Sequence, residues 1–87
     1  MFTITEQAAV LIHHQLDEKS DDDQVVMRIL MEDGRWSWAV DVPRVNDKIY
    51  EYKGTPVVAV RQDVSELLEN RTLDIRETEK GAVFVIN

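Results

Sequence analysis

The chain has 87 residues, 44% hydrophobic and 31% charged, with a net charge of −7 and no cysteine. A chain of this length closes one core rather than two and buries only about 60–65% of its unfolded surface. The acid excess argues against nucleic acid, which needs Lys and Arg to displace phosphate counterions. It argues equally against an anionic membrane surface, and the missing thiol removes disulfides and thiolate chemistry. No stretch reaches the roughly 18–20 apolar residues of a membrane span. The opening Met1-Phe2-Thr3-Ile4-Thr5-Glu6 lacks the basic and apolar regions of a signal peptide, so a cytoplasmic location is expected.

In chain order, Ala8, Ala9, Ile12 and Leu16 form one stripe at spacings of three and four, which predicts a helix from Glu6 to about Lys19. Thr5 is the expected N-cap, and Glu6 places negative charge in the first turn, where the helix dipole favours it. The acidic run Asp17-Glu18-Lys19-Ser20-Asp21-Asp22-Asp23 reads as a solvated loop. The hydrophobic period then changes to two. Gln24 to Glu32 is apolar on both alternating faces and predicts a strand covered on both sides. Asp33-Gly34 is a strong hairpin signal, and Arg35 to Val42 is the return strand, ended by Pro43. Lys48 to Tyr52 and Thr55 to Arg61 are strands about a Lys53-Gly54 turn. Asp63-Val64-Ser65-Glu66 reads as a capping box opening a helix through Glu69, with Asn70 suited to end it. Thr72 to Thr78, with Leu73 and Ile75 inward, and Ala82 to Ile86 are the last strands, joined at Lys80-Gly81.

No catalytic set can be assembled from these residues. His13 and His14 lie about 100° apart on a helix and cannot both face one metal in one monomer. Asp21-Asp22-Asp23 lacks the alternating ligands of a calcium loop. Ser20, Ser37 and Ser65 sit in no nucleophile elbow, and Gly34, Gly54 and Gly81 form no phosphate loop. The expectation is therefore no catalytic residue, no metal ligand, no cofactor and no enzyme activity. Trp36 and Trp38 share a strand face and are expected to pack onto the first helix as core. Arg35 and Trp36, at the hairpin tip, are of the types concentrated at interface hot spots. Tyr50 and Tyr52 leave the same two readings open. The candidate interaction surface is accordingly Asp33, Gly34, Arg35, Trp36 and Ser37.

The segments Ile4-Thr5-Glu6-Gln7-Ala8-Ala9, Asp63-Val64-Ser65-Glu66-Leu67-Leu68-Glu69-Asn70-Arg71-Thr72-Leu73-Asp74-Ile75 and Gly81-Ala82-Val83-Phe84 carry a family likeness. Together with the order of elements, they resemble the HesB-like, or A-type, iron–sulfur cluster assembly family. The resemblance implies an α+β, β-rich domain over residues 1–87. Its expected form is a small mixed β-sandwich or barrel of about six or seven strands, with one N-terminal helix and one short helix. Members of that family usually carry three cysteines, one in a Gly-Cys-Ser/Thr-Gly loop and two in a Cys-Gly-Cys tail. The corresponding loop here is Glu32-Asp33-Gly34-Arg35-Trp36-Ser37, with Asp33 or a neighbour at the thiol position. No counterpart of the tail is expected, since the sequence runs to Asn87. Because such clusters are held mainly by thiolates, the expected function is a non-catalytic binding or accessory module. Its expected partner is a protein, one of iron–sulfur assembly on the resemblance, met by a monomer or homodimer. The alternative is an iron or cluster carrier using carboxylate and His ligands across an oligomer.

Overall fold

The computed structural model describes residues 1–19 and 24–87. The elements are β1 (Thr3–Ile4), α1 (Glu6–Lys19), β2 (Val26–Glu32), β3 (Arg35–Asp41), β4 (Lys48–Tyr52), β5 (Thr55–Val60), α2 (Gln62–Leu67), β6 (Thr72–Thr78) and β7 (Gly81–Ile86). They form a three-stranded sheet in the order β1-β6-β7 and a four-stranded sheet in the order β3-β2-β5-β4. This is the β-rich α+β sandwich that the periodicities and the resemblance predict, with seven strands and two helices among the described residues.

The local chemistry explains most of the elements. Thr5 caps α1 as expected: its Oγ1 accepts the Ala8 N–H at 3.2 Å and donates to Asp74 Oδ1 at 2.9 Å, tying the helix start to β6. Ala8, Ala9, Ile12 and Leu16 are all buried. Asp33 and Gly34 both have positive φ, 50° and 77°, as a two-residue type I′ turn requires, and Lys53 and Gly54 repeat the arrangement at 51° and 83°. Asn70 ends the second helix region in the left-handed conformation at φ 64°. In β2, Val26, Met27, Arg28 and Ile29 are all buried, so the strand is covered on both faces.

The core joins α1 to both sheets through Ile12, Leu16, Met27, Ile29, Val58, Val60, Leu68 and Leu73. Two parallel pairings, β1 with β6 and β2 with β5, lie inside otherwise antiparallel sheets. Each brings together strands far apart in sequence: α1, the four-stranded sheet and α2 lie between β1 and β6, and β3 and β4 lie between β2 and β5.

Three expectations change. The capping box is absent, because α2 starts at Gln62 with Arg61 as N-cap and no side-chain cap. Asp63 lies inside the first turn, where it binds Arg61 at 2.6 and 3.0 Å and accepts the N–H of its neighbour Val64. The acidic run begins inside α1 rather than after it, since Asp17 and Glu18 are helical. Ser20, Asp21, Asp22 and Asp23 lie outside the described residues. Trp36 and Trp38 do pack against the core, but the ring partner of Trp38 is Phe84 of β7. The two rings meet edge to face at 5.8 Å between centroids, so Trp38 bridges the two sheets.

Candidate functional site

The hairpin surface read from the sequence is a single rigid projection. Seven consecutive cross-strand pairs, from Val26↔Asp41 to Glu32↔Arg35, hold β2 against β3 without a bulge. Asp33, Gly34 and Arg35 at the tip are exposed, while Trp36 and Ser37 are half-buried. Trp36 lies opposite Met31 and Trp38 opposite Ile29. Directly opposed residues share a sheet face, so the tryptophans line the inner side of the sheet and Arg35 and Ser37 the outer. The structure thus brings the five candidate residues together, but it splits them between two faces.

The outer face of this sheet holds a charged constellation that sequence reading missed. Arg28, in the middle of β2, is buried. Its guanidinium donates from Nη1 to Asp47 Oδ1 at 3.2 Å, and from Nη2 to Asp47 Oδ2 at 2.6 Å and to the Val42 carbonyl at 3.2 Å. The buried Nε makes no hydrogen bond among the described residues and lies 3.5 Å from Asp41 Oδ2. Asp47 also accepts the Arg44 N–H at 2.8 Å, and Asp41 binds the Arg44 side chain at 3.1 Å. A bidentate pair of this kind fixes orientation as well as energy. It clamps the connection 42–47 over the sheet. The hydrogen bond from Arg28, followed by that from the Arg44 N–H, holds the Asp47 carboxyl below its ordinary range against the opposing effect of burial. Asp41 is lowered first by the Val42 N–H it accepts. A signal was available in the sequence: a lone Arg between Met27 and Ile29 in a strand covered on both sides demands an internal carboxylate. Which carboxylate answers it depends on how the 42–47 connection folds back.

The two histidines of α1 point to different neighbours, as their adjacency predicts. His13 lies 3.7 Å from Asp17 and His14 lies 3.1 Å from Glu18, each pair spaced i, i+4. His13 also borders an open cleft of about 430 Å³ with Leu16, Asp17, Val25, Gly54, Thr55 and Pro56, and its ring is 6.2 Å from that of Tyr52. Among the described residues no three His, Asp or Glu side chains converge. On the far side, Tyr50 packs edge to face on Phe2 at 5.4 Å. Burial and then Glu69 push its phenol up, opposed by a hydrogen bond with Ser65. Both tyrosines are half-buried parts of the core margin.

The donor set can be tested against an iron–sulfur cluster. Soft thiolates are the usual ligands, and the chain contains none. At the hairpin loop where the resemblance places a thiol stand Asp33, Gly34 and Arg35, a carboxylate, a glycine and a cation. These residues do not fit a cluster.

No family model matches the chain, and no curated protein matches it. Solved structures do. The chain is similar to the crystal structure of Escherichia coli SufA, involved in biosynthesis of iron–sulfur clusters, with a TM-score of 0.77 and 17% identity. The match covers 99% of this chain and 83% of that one. It is similar also to a crystal structure of IscA with its 2Fe–2S cluster, with a TM-score of 0.70 and 18% identity, over 100% of this chain and 84% of that one. The fold is that of the A-type iron–sulfur assembly proteins, as the sequence resemblance implies. No helix among the described residues is long and apolar enough to cross a membrane.

Proposed function

We propose that this chain is a non-catalytic module of A-type fold that serves iron–sulfur cluster assembly in the cytoplasm by contacting a protein partner, without holding a cluster itself. The observation that carries the reading is the fold of SufA and IscA on a chain devoid of thiolates. The surface assigned to the contact is the β2–β3 tip, Asp33 to Ser37. There a type I′ turn fixes the backbone, and Arg35 and Trp36 offer a cation and an aromatic edge suited to a hot spot. Preorganisation of this kind reduces the ordering cost of binding.

Two experiments test the reading. Affinity capture with the wild-type chain and with Arg35→Ala compares the proteins retained. Loss of an assembly component with the variant is expected, and equal retention with the fold intact removes the tip from the contact. Anaerobic reconstitution with iron and sulfide, followed by desalting, tests the absence of a cluster. Retained charge-transfer absorption at stoichiometric iron would favour the second reading, a carrier using non-thiolate ligands across an oligomer. The exposed His13–Asp17 and His14–Glu18 pairs are the observation on which that reading draws.

A further inference from the structure

Among the described residues the four-stranded sheet ends at β3, which is hydrogen-bonded to β2 alone. In a two-residue hairpin the flanking pair, here Glu32↔Arg35, exchanges both hydrogen bonds, and the pattern then alternates along the ladder. Arg35, Ser37, Ala39 and Asp41 therefore bond to β2. Trp36, Trp38 and Val40 turn their N–H and C=O groups away from it. Among the described residues no backbone group pairs with these three. Such an edge invites another strand unless it is blunted. The other edges differ. β1 has two residues, and β4 carries Lys48, Glu51 and a bulge at Tyr50/Glu51. β3 has no Pro, Lys or bulge, and Val40 on its inner face is 41% exposed.

We propose that the open edge of β3 pairs antiparallel with β3 of a second copy of this chain, about a two-fold axis at Trp38. The register follows from two independent features. The free backbone groups belong to residues 36, 38 and 40, which pair as Trp36↔Val40 of the second copy, Trp38↔Trp38 and Val40↔Trp36, each exchanging two hydrogen bonds. The strand Arg35-Trp36-Ser37-Trp38-Ala39-Val40-Asp41 begins with a cation and ends with an anion. The same axis therefore sets each Arg35 opposite Asp41 of the other copy, on one face of the sheet. Arg35 is exposed, and Asp41, which also binds the exposed Arg44 side chain at 3.1 Å, retains a third of its side-chain surface for a further cation. Charge complementarity selects a second copy, because the strand is its own complement when reversed. It also supplies a neutral contact to chains that otherwise repel at −7 each. β7 is also an edge, but Gly81-Ala82-Val83-Phe84-Val85-Ile86 has no charges to choose a register. The pairing would join two four-stranded sheets into one continuous sheet. It does not rest on the proposed partner contact, and its readout is separate from partner capture.

The absence of native cysteine makes the register directly measurable. Ser37 lies opposite Ala39 of the second copy in a non-hydrogen-bonded pair, with Cα atoms about 4.5 Å apart, inside disulfide range. Ser37 and Ser37 of the two copies are diagonal neighbours, about 7–8 Å apart and out of reach. On mild oxidation, an equimolar mixture of Ser37→Cys and Ala39→Cys chains is expected to give a covalent dimer, while each variant alone gives no covalent cross-link. Val40→Pro added to both removes an outward N–H, which edge strands tolerate, and is expected to abolish the cross-link. Ala82→Pro, at the corresponding outward position of β7, is expected to leave it unchanged. Arg35→Asp, which sets like charges opposite one another, should lower the cross-linked fraction about fivefold and decides the matter if Val40→Pro disturbs the fold. No cross-link in the mixture, equal cross-linking of either variant alone, or a cross-link indifferent to the deciding variant overturns the proposal.

Discussion

Replacing Asp47 by alanine removes one partner of a buried ion pair and leaves the other in place. The Asp47 and Arg28 side chains are 2% and 5% exposed, and Asp47 accepts both terminal guanidinium nitrogens together with the Arg44 N–H. Without it Arg28 keeps the Val42 carbonyl at 3.2 Å and Asp41 at 3.5 Å. Breaking a buried pair from one side costs about 3–5 kcal/mol, because a desolvated charge remains. The residual contacts place the expected loss at the low end, about 3 kcal/mol. A domain of this size has a total stability of about 4–13 kcal/mol, so the loss is a large fraction. With a urea dependence of about 1 kcal/mol/M, the unfolding midpoint followed by Trp36 and Trp38 fluorescence should fall by about 3 M. The double variant Arg28→Met/Asp47→Ala removes the stranded charge and is expected to recover most of that fall. A shift below about 1 M for Asp47→Ala, or a double variant worse than the single, would refute the claim that a buried charge governs this face.

The same pair gives an acid dependence. Asp47 is held low in the folded state, so its contribution is complete above the unfolded carboxyl value near 3.9 and disappears as pH falls through the folded value. The wild-type urea midpoint should therefore drop below about pH 4 more steeply than that of Asp47→Ala. Gly34→Ala forces a side chain into φ 77° and should cost about 1 kcal/mol by thermal melting, although nothing obstructs the added Cβ. Trp38→Ala removes the edge-on contact with Phe84 from a half-buried site. A loss of about 2–3 kcal/mol in chemical denaturation is expected, less than for a fully buried ring. Asp63→Ala should leave the thermal midpoint unmoved, because the Arg61–Asp63 pair is exposed and Asp63 does not cap α2; a clear fall would restore the capping box.

The candidate site was legible only in part. The hairpin tip could be placed from Asp33-Gly34 and the alternating strands around it, since a two-residue turn constrains φ at adjacent positions and needs no distant partner. The division of its residues between two faces follows from the same alternation. The chemistry beneath it could not be placed. Arg28 signals that a carboxylate must be near, yet Asp41, Asp47 and the other acids compete equally until the 42–47 connection is folded.

Whatever depends on neighbours in the chain is settled by the amino-acid order alone: the Thr5 cap, the helical stripe of α1, the two type I′ turns, the Asn70 stop and the absence of thiol chemistry. Tertiary structure decided the rest. The parallel pairings β1–β6 and β2–β5, the meeting of Trp38 with Phe84 and the choice of Asp47 for Arg28 all join residues distant in sequence. Their energies come from desolvation and packing that exist only once both sheets are assembled. The start of α2 moved for a local reason instead. Asp63 had the right side chain for a cap, but Arg61 captured it, and the backbone entered the helix two residues earlier.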